Sequence, residues 1–228
     1  MGASSVEATA AARRLLAAVD AMLAAPSAES LRAARRAWLD AHPAYLRTEV
    51  FRFKDGPIEA IEGRINAWPI NEGFIDSVEG APEASLINDP TVPVSLKAIN
   101  ERDQVSAEAD VTTGWHAIEL LLWGQDLSAT GPGDRPFTDY VPGRDHNDRR
   151  RVYLRLITQQ LVDELHSLAL AWAPGAADDA AARFLALPPR EALGRILNGM
   201  AILAGYELLS ERLAVALDSS DRSGRSAG

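Results

Sequence analysis

Between Asp148 and Trp172 large apolar side chains recur at Leu154, Ile157, Leu161, Leu165, Leu168 and Trp172, in steps of three or four residues. That period gathers them on one side of an α-helix but scatters them over both faces of a strand, so the segment buries them together only as a helix. The same spacing recurs at Leu15, Leu16, Val19, Met22 and Leu23, and in a second stripe running Leu31, Ala34, Trp38, Leu39, His42, Tyr45, Leu46, Glu49 and Phe53. Helical pattern also covers Ser106 to Gly124, a shorter piece from Ala176 to Leu187, and a last helix opened by Pro189 and running to about Leu217. No alternating strand pattern of convincing length appears. Helices with one apolar stripe each are stable only when the stripes cover one another, which predicts an all-α, long-helix bundle.

Turn residues divide these helices. Pro26-Ser27 ends the first, and Ser27 or Ser30 can cap the second. Pro43 inside the second removes a backbone donor and predicts a kink or a split at His42. Residues 54 to 105 hold Gly, Pro, Asn and Asp clusters with short periodic pieces between them, predicting a long, partly helical excursion; "SATGPGDRPFTDYVPGRDHND" is a second Gly/Pro-rich loop. Residues 1–218 are expected to form one helical domain, and 219–228, polar and serine-rich, a disordered tail.

Charge and composition exclude several functions. The chain carries 23 basic and 32 acidic side chains, a net charge of −9, which repels a phosphate backbone and excludes nucleic acid as partner. No apolar run reaches the ~18 residues of a membrane helix, so no integral membrane segment is expected. The absence of cysteine rules out thiolate ligands and nucleophiles. The start, "MGASSVEATAAARRLL", lacks the basic and apolar regions of a secretory signal.

The stretch "TTGWHAIELLLWGQDL", Thr112 to Leu127, is apolar on every side of a helix except at His116 and Glu119, one turn apart. A buried carboxylate is costly unless it is paired, hydrogen-bonded or bound to a metal, and imidazole and carboxylate together are good ligands for iron, manganese or zinc. The bland alternative is a His–Glu hydrogen bond. Glu49 falls on the stripe of the second helix and Glu207 on that of the last, with Leu193, Ile196, Met200 and Leu203, so three helices aim a carboxylate inward. Helical bundles build metal sites in this way. His116, Glu119, Glu49 and Glu207 are therefore the expected metal ligands, against the alternative that the carboxylates pair with Arg47, Arg52, Arg64 or Arg212. His42 reads as a helix-kink or surface residue, and His146 and His166 as solvent-exposed.

Gly114, His116 and Glu119 also spell Gly-x-His-x-x-Glu, and the chain resembles the imelysin-like proteins, also classed as M75 peptidases, which carry that signature. "YLRTEVFRF", "GPIEAIEGRINAWPINEGFID", "HAIELLLWGQDL", "GPGDRPFTDY" and "GYELLSERLAVAL" follow in the family's order across residues 38 to 217. The resemblance implies an all-helical protein of the bacterial cell envelope, periplasmic or lipid-anchored, in an iron-regulated setting. It gives His116 and Glu119 the metal-site role; Arg52, Asp76 and Gly114 are expected to support the ligands without touching the ion. The family continues past "SERLAVAL" with further helices, so a shortened second half is expected.

Three functions follow. The first is a metal-binding protein of an iron-uptake system, with iron the leading cofactor, zinc the alternative, and other iron-uptake envelope proteins as partners. The second is a metallopeptidase with zinc on His116 and Glu119, ranked lower because catalytic zinc usually takes at least two histidines. The third is a non-enzymatic module binding haem, peptide or polysaccharide through Trp68, Trp123, Phe137 and Tyr140, aromatics that could equally pin the loops to the core.

Overall fold

The structure, a computed structural model, describes residues 1–52, 56–81, 85–127, 131–144, 146–173, 175 and 179–214, without the side chains of residues 211 and 212. The expected tail, the end of the last helix at Leu217 and the roles of Phe53 and Arg212 lie outside these residues. The helices are α1 (Gly2–Ala24), α2 (Ala28–Leu46), α3 (Glu59–Ile65), α4 (Glu72–Ile75), α5 (Leu96–Asn100), α6 (Gly114–Trp123), α7 (Asn147–Ala171), α8 (Ala180–Leu185) and α9 (Pro189–Ala201), with 3-10 turns at Glu49–Phe51 and Phe137–Tyr140. Among the described residues there is no strand, only an isolated bridge between Val78 and Ala81. The protein is all-α.

The core is made by α1 lying along both α2 and α7, with α6 laid against α7 and α2. The expected stripes do this: Leu15, Val19 and Met22 of α1 meet Leu31, Ala34 and Trp38 of α2 and Leu154, Ile157, Leu161, Leu165 and Leu168 of α7 in one buried cluster. Polar ties fix the register. The Thr9 hydroxyl donates to the Leu165 carbonyl at 2.9 Å, and the Trp38 indole N–H to the Trp115 carbonyl at 3.0 Å. Ser27 and Ser30 form a reciprocal capping box at the start of α2.

The structure corrects four local expectations. Pro43 does not split α2, which continues to Leu46 before tightening, the Thr48 N–H reaching the Tyr45 carbonyl at 2.7 Å. Glu49 therefore sits in the 3-10 turn beyond α2 and not on its stripe. α6 starts at Gly114 and not at Ser106, because Asp103 takes both the N–H (2.7 Å) and the hydroxyl (3.0 Å) of Thr112 and holds the preceding chain out of helix. Gly114 itself adopts φ +85°, with the Ile65 and Arg64 carbonyl oxygens 2.6 and 2.7 Å from where a Cβ would stand. Only glycine fits there. Last, α9 does not stay α-helical but widens into a π-helical stretch, Ile202–Ala214.

Candidate functional site

α6 buries all of its side chains except that of His116, which stands at its edge, while Glu119 is 5% exposed. His116 Nδ1 lies 3.0 Å from Glu119 Oε2. An ionised carboxylate only accepts, so with Glu119 ionised and His116 neutral Nδ1–H donates to it and Nε2 is the nitrogen that carries the lone pair. The carboxylate thus fixes both the tautomer and the direction of the ring. Trp68 lies against the ring at 5.0 Å between centroids, and His42 meets it edge-on at 5.6 Å.

In front of this pair is a cavity of about 30 Å³, lined by His116, Glu119, Glu72, Asp126, Trp68 and Trp123 among others. That is room for an ion with a water or two, since one water occupies about 10–15 Å³ on this measure. Glu72 is the first residue of α4, which is tethered by the Asn71 N–H to the Ala109 carbonyl at 2.6 Å and by the Asn71 amide to Asp110 Oδ1 at 2.8 Å. Asp126 follows Gly124, whose φ of +75° ends α6. Burial first, then the charges of Asp126 and Glu119, push the Glu72 carboxyl up to about 7, against the opposing pull of Arg135. The cavity is thus a place of concentrated negative charge that a cation would relieve.

Behind it, Asp76 is fully buried between Arg150 (Nε to Oδ2 2.6 Å, Nη2 to Oδ1 2.9 Å) and Arg135 (2.9 Å). Burial raises its carboxyl, but the Arg150 hydrogen bond and the two guanidinium charges outweigh this and hold it below the usual carboxylate range. Asp76 is linked to the cavity through Arg135, whose charge opposes the rise at Glu72.

A second polar cluster reaches His116 through the ring of His42. Glu49, 4% exposed, accepts from the Asn66 amide at 2.8 Å, which orients that amide so that its Oδ1 faces His42 Nε2 at 3.1 Å. His42 is half-buried, hydrogen-bonded within the fold and with its ring packed on Trp38 and Trp115. Arg52 binds Glu207 at 2.7 Å and Glu62 at 3.1 Å. α9 comes this close to the Glu49–Phe51 turn because Gly199 leaves room: a Cβ there would stand 2.9 Å from the Val50 carbonyl oxygen and 3.1 Å from that of Arg52. Tyr45, wholly buried beside these charges, has its hydroxyl pushed well up by burial, then by Glu49 and Glu62. Its hydroxyl and the Trp115 indole N–H have no hydrogen-bond partner among the described residues.

Of the four expected ligands the structure brings His116 and Glu119 together. Glu49 and Glu207 do not line the cavity; Glu49 connects to it through Asn66 and His42, and Glu207 is held by Arg52. Among the described residues no three His, Asp or Glu side chains are arranged as a ready-made metal-ion group. Sequence reasoning missed Glu72 and Asp126, which lie outside the periodic stripes; the signal that could have found them is an acid directly after each turn, in "WPINEG" and "WGQD". Of the loop aromatics, Tyr140 and Trp123 are buried in the core, Tyr140 donating to the Leu121 carbonyl, and only Trp68 and Trp123 touch the cavity. His166 is exposed as expected, and His146 partly so.

Comparison with known proteins agrees with this architecture. Iron-regulated protein A of Synechococcus elongatus is 29% identical over 120 residues, 53% of this chain and 28% of that protein. The match thus spans less than a third of the relative's length. The family model described as imelysin, peptidase M75, matches residues 4–227. The chain belongs to the imelysin (M75 peptidase) family.

Proposed function

We propose that this chain is an iron-handling protein of the cell envelope, and that its cation site is the cavity in front of His116 and Glu119. One observation carries this reading: an imidazole and three carboxylates, those of His116, Glu119, Glu72 and Asp126, line a single cavity of about 30 Å³. Oxygen-rich donors with one imidazole suit iron or manganese and tolerate zinc. His116 would bind through Nε2 with Glu119 holding its ring, and Glu72 and Asp126 would supply charge directly or through a water. Glu49 acts a step further out, by fixing Asn66 and His42. The cavity is too small to seat a peptide backbone or a haem, which weighs against the peptidase and haem readings at this position. Iron is supported by the family and by the name of the Synechococcus relative, an iron-regulated protein, and the envelope by the family resemblance. No helix among the described residues is long and apolar enough to cross a membrane.

The test is metal loading of the purified chain with ferrous iron, manganese and zinc, read by elemental analysis and by anomalous scattering at the iron and zinc edges. Stoichiometric metal beside His116 is expected, lost in His116→Ala/Glu119→Ala. Undiminished binding in that variant would sink the proposal.

A further inference from the structure

The turn on which α9 rests is also the root of the polar line that ends on His116. Gly199 is the one buried residue of α9, and beyond its own continuation the helix makes its main contact with the Glu49–Phe51 turn. Glu207, further along that continuation, closes the seat by accepting from Arg52 Nη1 at 2.7 Å. A helix with so little buried surface opens locally at far less cost than the α1–α2–α7 core.

Glu49 and Arg52 stand at the two ends of the turn, joined by the Arg52 N–H to the Glu49 carbonyl at 2.8 Å. The Arg52 guanidinium also binds Glu62 of α3 at 3.1 Å, and the Asn66 N–H, just beyond α3, donates to the Glu62 carbonyl at 2.8 Å. Arg52 therefore braces the turn that carries Glu49 against the helix that carries Asn66. An ionised Glu49 only accepts, so the Asn66 amide nitrogen faces it at 2.8 Å and Oδ1 faces His42 at 3.1 Å, accepting from Nε2–H. Held there, and packed on Trp38 and Trp115, the His42 ring meets His116 edge-on at 5.6 Å. If the turn shifts, Asn66 loses its acceptor, the His42 ring is no longer held, and His116 loses one of the rings that aim its Nε2.

Given the cation site proposed above, on which this rests, we infer that the seating of α9 is coupled to metal affinity at His116, with Glu49, Asn66 and His42 as positioning residues. His116 binds a cation most tightly when its ring is already aimed, so a seated α9 raises affinity. Linkage makes the effect reciprocal: a bound cation tightens α9 onto its turn. Were Glu119 alone enough to fix the ring, α9 and the metal would ignore one another.

Calorimetric titration with manganese, and hydrogen exchange of residues 189–201 with and without it, read the two directions. Each variant is first checked for unchanged exchange in the α1–α2–α7 core, so that a lost fold is not taken for a lost coupling. Gly199→Val and Glu207→Leu, which unseat α9, and Glu49→Leu, which removes the acceptor for Asn66, should each weaken manganese binding about threefold to thirtyfold, the range for substitutions along a coupled network. Glu49→Gln keeps an oxygen to accept from Asn66 and should bind as wild type does, because orientation and not charge is what the residue supplies. Manganese should slow exchange in α9 of the wild-type chain but not in Asn66→Leu at saturating metal. Nitrogen-15 spectra of the histidine rings in the metal-free chain give a readout independent of the ion: His116 signals should move in Gly199→Val as they do in Glu49→Leu. Unchanged affinity in the three weakening variants, with α9 exchange indifferent to manganese, would overturn the coupling and leave the cation site standing. Histidine signals unmoved by Gly199→Val would overturn it whether or not metal binds.

Discussion

Replacing Glu72 by Gln separates the electrostatic logic of the cavity from simple packing. With its carboxyl pushed up to about 7, Glu72 is about one-tenth ionised at pH 6 and nine-tenths at pH 8. A cation that needs the ionised form must therefore displace a proton at the lower pH, and this single group weakens binding about tenfold between pH 8 and pH 6. A glutamate near its ordinary value of 4.5 would contribute almost nothing over that range. The apo protein shows the opposite face of the same linkage. Because the folded value is raised, the group's contribution to stability is complete below the unfolded value near 4.5 and is lost as pH rises through about 7. Taken whole, the shift is about 3 kcal/mol, but Glu72 is partly open to water, and screening reduces this to about 1 kcal/mol. Metal-free Glu72→Gln protein should then melt about 2–4 °C above wild type at pH 8 and level with it at pH 4.5. Calorimetric titration with manganese at pH 6 and 8, with thermal melts of the apo proteins, reads both arms. The other groups of the cavity are the same in both proteins, so the quantity of interest is the difference between the two slopes. If Glu72→Gln binds metal with the wild-type pH slope, or melts no higher than wild type at pH 8, the crowded-carboxylate account of the cavity is wrong.

Three further outcomes follow from packing and pairing. Gly114→Ala forces a Cβ to within 2.6–2.7 Å of two carbonyl oxygens at φ +85°, and should cost about 2 kcal/mol or more in denaturant unfolding. Asp76→Asn leaves Arg135 and Arg150 without their shared carboxylate and should cost about 3–5 kcal/mol. The wild-type contribution of Asp76, whose folded value is depressed, is present above pH ~4 and lost as pH falls through that depressed value, so the variant should also show a shallower acid-unfolding curve. Gly199→Val should push α9 off the Glu49–Phe51 turn and part Arg52 from Glu207, giving faster proteolysis between residues 189 and 214 with the α1–α2–α7 core still protected from hydrogen exchange.

Much of this molecule is written in local pattern. The stripe from Leu154 to Leu168 can be read without a structure because a period of three to four residues admits one solution, and the Ser27–Ser30 capping box marks where α2 begins. The polar pair in the middle of α6 is legible for a related reason, since His116 and Glu119 interrupt a run that is otherwise apolar all round. Glu49 shows where periodicity fails. It continues the count of α2, yet the chain tightens into a 3-10 turn after Leu46 and turns the carboxylate toward Asn66. His42, beside a proline, reads as a residue at a kink, and only the approach of α6 encloses it between Trp38 and Trp115.

The sequence by itself therefore determined the all-α class, the segments that become helices and the facing of His116 and Glu119, because these depend on spacing within one helix. Tertiary structure alone decided which carboxylates share the cavity. Glu72 and Asp126 come from short segments on either side of α6, and Glu207 is diverted to Arg52 by the close approach that Gly199 permits. The physical reason is one of distance. Helical periodicity fixes a side chain's direction relative to its own axis, whereas which groups from separate segments meet depends on how loops carry the helices together, and that is set by tertiary contacts such as the Gly114 notch against Arg64 and Ile65.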